Sequence, residues 1–74
     1  MKIEYDPEAN ALYITLRGDA QIHHTEEVTE SLNVDIDVEG RPLGIEILDV
    51  RDLVGVESLG SITLTNLLTE PVTS

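Results

Sequence analysis

The side chains best suited to chemistry in this sequence are three carboxylates, Asp35, Asp37 and Glu46. All three fall in the stretch from Asn33 to Val50, reading NVDIDVEGRPLGIEILDV, where apolar and polar residues alternate on both sides of Glu39-Gly40. Alternation of that period belongs to a strand with one dry face and one wet face. If Glu39-Gly40 is a two-residue turn, Ile36 faces Leu43, Val34 faces Ile45 and Leu32 faces Ile47, so every apolar residue meets an apolar partner. Asp35 then lies opposite Gly44, Glu46 opposite Asn33, and all three carboxylates project from one face. Diagonal neighbours such as Asp35 and Glu46 stand about 7 Å apart at Cβ, which suits a shared hydrated Mg2+ or Ca2+. A basic protein partner would relieve the same repulsion, and a solvated face that only keeps the chain soluble is the plain alternative.

Other candidates are thinner. His23-His24 is a pair of adjacent residues, and on a regular strand such neighbours point to opposite faces and cannot share one metal. One of them could join Glu26, but no further His and no Cys exists to complete a zinc site. Ser31, Ser58 and Ser61 have no His at a motif spacing, Lys2 is the single lysine, and no glycine-rich phosphate loop occurs. Catalysis is therefore not expected, and no cofactor is implied. Gly44 sits where glycine weakens a strand, so something must approach it closely, and a tyrosine, Tyr5 or Tyr13, is the expected cover. The same two tyrosines join Asp35, Asp37 and Glu46 as the expected partner-binding set. Arg17-Gly18-Asp19 spells an integrin motif, but without cysteine or a secretion signal it reads as a glycine-containing turn.

The elements that must position these residues follow from the same periodicities. Lys2 to Tyr5 is a short strand, broken by Asp6-Pro7-Glu8-Ala9-Asn10, and Ala11 to Leu16 is a second, central strand paired back onto it. From Gln21 to Thr29 a weak alternation predicts a charged edge strand, which Glu30-Ser31 turns into the central hairpin. Asp49 can cap a helical turn over 50–54, with Asp52 completing an acidic capping box and Gly55 ending it. Residues 61–68 read as a strand through Ile62, Leu64 and Leu67 or as a helix, and 70–74 as a frayed tail. The expected fold class is mainly β: one small antiparallel sheet of about four to six strands, a meander of hairpins with a helical turn near 50–54. It becomes α+β if 61–68 is helical. A single domain spans 1–74, with its core in 2–50 and a C-terminal extension over 51–74.

Composition limits the partners. Fifteen acidic residues stand against four basic ones, a formal net charge of -11, and no Lys or Arg cluster exists to neutralise phosphates. Nucleic acid and anionic membrane are thus not expected partners. With no Phe, Trp or Cys, the core must be Ile, Leu and Val, and a lone sheet has too little chain to cover both faces. A second copy is the simplest cover, so a homo-oligomer, a dimer first, is expected. No apolar run approaches the roughly 20 residues of a membrane span and no secretory signal opens the chain, so a cytoplasmic location is expected.

With these residues in view, the chain resembles a known family. The opening Ile3-Glu4-Tyr5-Asp6-Pro7-Glu8-Ala9-Asn10-Ala11-Leu12-Tyr13-Ile14, the middle Thr25-Glu26-Glu27-Val28, and the close Asp35 to Gly40 followed by Gly44 to Asp49 carry the likeness. They are similar to the small bacterial proteins grouped as domain-of-unknown-function family 2283, over residues 1–50. The resemblance implies a short bacterial protein with a β-rich fold and brings no activity with it. It also implies a genetic context in which such proteins can sit beside other small genes in toxin and antitoxin-like pairs. The reading that follows is a non-enzymatic, self-associating interaction module, antitoxin-like toward a basic partner. A divalent-cation domain built on Asp35, Asp37 and Glu46, or a purely structural homo-oligomer, are the alternatives.

Overall fold

Five strands form one open antiparallel sheet in a computed structural model that describes residues 1–67. They are β1 (Lys2–Asp6), β2 (Ala11–Thr15), β3 (His24–Thr29), β4 (Leu32–Ile36) and β5 (Pro42–Leu48), followed by α1 (Val50–Val54) and α2 (Val56–Leu59). The mainly β class and the helical turn over 50–54 are as expected. The strand order is β1-β2-β5-β4-β3, so β2 neighbours β5, and the charged strand β3 is an edge. The sheet thus joins two pieces, the hairpin β1-β2 and the run β3-β4-β5.

Turn chemistry explains the joints. The Asp6 carboxylate accepts the N–H groups of Glu8 and Ala9 at 3.0 and 3.2 Å, closing the first turn through the side chain. At the second, Thr29 pairs with Leu32 across Glu30-Ser31, and the Thr29 hydroxyl accepts the Ser31 N–H at 3.1 Å. The edge strand begins at His24 rather than at Gln21, and residues 20–23 form no regular element.

The central hairpin keeps the expected pairs Leu32 with Ile47, Asn33 with Glu46, Val34 with Ile45 and Asp35 with Gly44. Its turn is longer than Glu39-Gly40. Ile36 pairs with Pro42 rather than Leu43, the register shifts after Asp35, and residues 37–41 form the loop. Asp37 causes this, because its carboxylate accepts the N–H groups of Glu39 and Arg41 at 3.0 and 2.8 Å. Gly40, at φ 84°, supplies the left-handed residue that the loop requires.

At the end of β5 the expected cap is not formed. Asp49 takes the left-handed conformation (φ 51°) and makes no side-chain bond to the helix. Asn10, from the turn between β1 and β2, takes over this task. Its backbone carbonyl accepts the Val50 N–H at 3.1 Å and its side-chain oxygen accepts the Arg51 N–H at 3.0 Å and the Arg51 Nε at 3.1 Å. Gly55, at φ 82°, ends α1 as expected. Residues 61–67 are neither strand nor helix, while the expectations for 68 and for the tail 70–74 fall outside the described residues.

Register sorts the side chains into rows across the sheet. On one face Ile3, Ile14, Ile45 and Val34 form a row that ends in Glu26 on the edge strand, and Tyr5, Leu12, Ile47 and Leu32 form the next, ending in Thr29. Helices α1 and α2 lie over one end of this apolar face, leaving a cleft of about 240 Å3 bordered by Ile3, Leu12, Ile47, Val54 and Leu59. Among the described residues Val50, the first of α1, is fully buried, and Leu43 and Ile36 are the other buried apolar side chains. The rest of the face is only half covered.

Candidate functional site

The opposite face carries Glu4, Tyr13, Glu46, Asn33 and Glu27 in one row and Lys2, Thr15, Gly44, Asp35 and Thr25 in the next. Two of the three predicted carboxylates, Asp35 and Glu46, therefore share this face as expected. Asp37 does not. It lies in the 37–41 loop, 4% exposed, where Arg17 Nη2 donates to it at 2.7 Å and Arg41 Nε stands at 3.5 Å. The loop's two backbone donors complete its shell, so Asp37 is fully occupied as a structural anchor. These contacts hold its carboxyl well below the usual range, at about 2, with the Arg17 bond the largest cause and the Arg41 N–H the next.

Gly44 is the hollow around which the face is arranged. A Cβ there would meet Tyr13 at 2.7 Å from Cζ and 2.9 Å from Cε1, so tyrosine cover is what the structure shows, with Tyr13 as the tyrosine. Lying across the glycine, the Tyr13 hydroxyl reaches diagonally to donate to Asp35, and the Thr25 hydroxyl donates to the other Asp35 oxygen at 2.5 Å. Glu46 accepts from the Asn33 amide at 3.3 Å. The Tyr13 hydroxyl is pushed up to about 12, first by its bond to Asp35, then by burial and the negative charges of Asp35 and Glu46. It is therefore a fixed, protonated donor at neutral pH, and Asp35 is spent on two hydroxyls.

Tyr5 and Tyr13, expected to serve one partner, belong to opposite faces, although both border a shallow groove of about 410 Å3 at the sheet edge. Glu4, Asp6 and Glu46 line the same groove, and Lys2, 3.6 Å from Glu4, is the one cation in these rows. The histidine pair also departs from expectation. Because His23 precedes the strand, its Nδ1 lies 3.0 Å from Nδ1 of His24, whose Nε2 meets Glu26 at 3.2 Å. Among the described residues, no group of three or more His, Cys, Asp or Glu side chains is placed to hold a metal ion.

Sequence reasoning missed Arg17 and Asn10. Arg17, read as part of a turn, is the ion-pair partner of Asp37, and Asn10 caps a helix 41 residues away. A lone arginine four residues after a tyrosine gave no signal of its partner. For Asn10 the signal was its type, since asparagine takes left-handed backbone readily and caps well.

These features define a class of protein: a single open antiparallel sheet with one apolar face, one acidic face, and carboxylates committed to hydroxyl and arginine partners. The chain belongs to the family described as "Protein of unknown function (DUF2283)", whose model matches residues 2–51. No curated protein and no solved structure matches it. Among the described residues no helix is long and apolar enough to cross a membrane.

Proposed function

We propose that this chain is a non-enzymatic interaction module of the bacterial cytoplasm that acts as a homodimer. Two copies close their apolar sheet faces on each other and turn their acidic faces outward to a basic protein. The observation that supports this is the apolar row through Ile14, Ile45 and Val34, which a single chain leaves only half-buried.

The acidic rows favour a basic partner because Glu4, Glu27, Asp35 and Glu46 face outward with Lys2 alone to offset them. An antitoxin-like role toward a small basic protein is the form this would take in a paired-gene setting. Sedimentation at increasing concentration tests the reading. The unsubstituted chain should sediment as a dimer, and Ile45→Asp, at the centre of the apolar face, should sediment as a monomer. A monomer at tens of micromolar without substitution would overturn the proposal. Glu4→Lys with Glu46→Lys should then weaken binding to a polylysine probe and flatten its salt dependence.

A further inference from the structure

Two adjacent histidines that a regular strand would point apart are brought together here. His23 lies just before β3 and its N–H donates to the Ile36 carbonyl at 2.8 Å, while His24, the first residue of the strand, pairs with the same Ile36. Both backbones are thus tied to one residue of β4, and the rings meet edge to face with their Nδ1 atoms 3.0 Å apart. Both residues are exposed. Glu26, two residues on from His24 and on the same side of the strand, sets the tautomer of the pair. Its carboxylate only accepts, so the His24 Nε2 that faces it at 3.2 Å carries a hydrogen, and the neutral ring keeps its Nδ1 lone pair toward His23. His23 donates its Nδ1 hydrogen to that lone pair. One hydrogen therefore stands between two nitrogens that are metal ligands by type.

We propose that His23 and His24 chelate a divalent transition ion of the Cu2+ and Ni2+ class through their two Nδ1 atoms, with Glu26 as the positioning residue behind His24. The ion takes the place of the hydrogen between the rings, which His23 retains on its outer nitrogen, Nε2, so no proton is lost overall. The separation of the nitrogens selects the geometry. At a metal–imidazole distance of about 2.0–2.1 Å, nitrogens 3.0 Å apart subtend about 91–97° at the ion. That is close to the right angle between neighbouring ligands of a square-planar or tetragonal site, whereas tetrahedral Zn2+ needs nitrogens about 3.3–3.4 Å apart. Ligand number points the same way. Among the described residues no group of three ligating side chains forms, so water fills the other positions, and a site of two nitrogens favours the ions highest in the divalent affinity order. A carboxylate on the outer nitrogen of a ligating imidazole is the arrangement that fixes its tautomer and raises its basicity.

The site is complete within one chain and is independent of the dimer reading above. Cu2+ is the probe. Titrated into the unsubstituted chain at neutral pH in a non-coordinating buffer, it should bind one equivalent, and electron paramagnetic resonance should show a tetragonal ion coupled to two imidazole nitrogens. Glu26→Ala should weaken binding about tenfold while both couplings remain, which marks a residue that acts through His24. His23→Asn and His24→Asn should each cost more than that and leave one coupled nitrogen. Coupling to a single imidazole in the unsubstituted chain would overturn the chelate. So would unchanged affinity in the double variant His23→Asn with His24→Asn, which would place the ion at the amino terminus or on carboxylates. Zn2+ bound as tightly as Cu2+ would overturn the choice of ion.

Discussion

Replacing Gly44 by alanine should destabilise this protein, and the cost should arise from Tyr13 alone. Gly44 has no positive φ, so alanine meets no backbone strain there. By propensity it should gain about 0.5–1 kcal/mol inside a strand. The new methyl would lie 2.7 Å from Tyr13 Cζ, about 1 Å inside the carbon contact distance of about 3.5–4.0 Å. Either the sheet strains to hold the ring, at about 1–3 kcal/mol, or the ring swings away and loses its bond to the Asp35 carboxylate, at about 1.5–3 kcal/mol. The cheaper route prevails, and after the propensity gain the net loss is about 1–2 kcal/mol. In urea that moves the unfolding midpoint down by about 1–2 M for a domain of this size, measured at fixed protein concentration. A second readout separates the routes. If the ring swings away from Asp35, the Tyr13 hydroxyl should fall from about 12 toward 10, which absorbance titration detects, with Tyr13→Ala identifying its step. For the same reason the unmodified protein should lose stability as pH rises from 10 to 12, since the unfolded chain releases that proton first. In a Tyr13→Ala background, Gly44→Ala should become neutral or slightly stabilising. An equal loss with and without Tyr13 would refute the reasoning.

Two further perturbations address the loop and the helix. Asp37 titrates at about 2 instead of 3.8, so its contribution is full above about pH 4 and is lost as pH falls toward 2. Asp37→Asn should therefore be less stable than the unsubstituted chain at neutral pH, with the gap closing through that window in an acid-unfolding series. Asn10→Gly keeps the left-handed backbone but removes the side-chain oxygen that accepts the Arg51 N–H and Nε, and the lost hydrogen bonds should cost about 1 kcal/mol in thermal unfolding. Its far-ultraviolet signature should report loss of helix with the sheet retained.

Local features of the fold were legible from residue types, and the long-range ones were not. The pairs from Leu32 with Ile47 to Asp35 with Gly44 follow from alternation, because a slip of one residue would put carboxylates among isoleucines. The loop that follows was misread because Glu39-Gly40 has the spelling of a tight turn, whereas Asp37 can satisfy two backbone donors only in a wider one. That one substitution of turn type also took Asp37 out of the acidic face, so the expected three-carboxylate site becomes a pair. The contact of Tyr13 with Gly44 was foreseeable from a glycine that a strand would otherwise avoid. The pairing of β2 with β5, the bond between Arg17 and Asp37 and the cap from Asn10 depend on how the two hairpin units meet. No local period reports that meeting.

The meeting line between those units has a consequence for how the molecule can be divided. Of the four ladders, residues 1–17 hold one and residues 23–48 hold two, the fourth (β2 with β5) lies between the two pieces, and the bend at 18–20 joins them outside every strand. The Leu16 and Arg17 N–H groups donate to Leu43 O and the His23 N–H to Ile36 O, so both ends of the connector are tied to the β4-β5 hairpin. A break in the bend would sever no ladder. The two pieces would meet along β2 and β5, where Ile14 and Leu12 line up with Ile45 and Ile47, and along the seat of Asn10 against Arg51. The protein is in this sense a pair of complementary parts on one chain, and its architecture lends itself to reassembly from two separately made fragments.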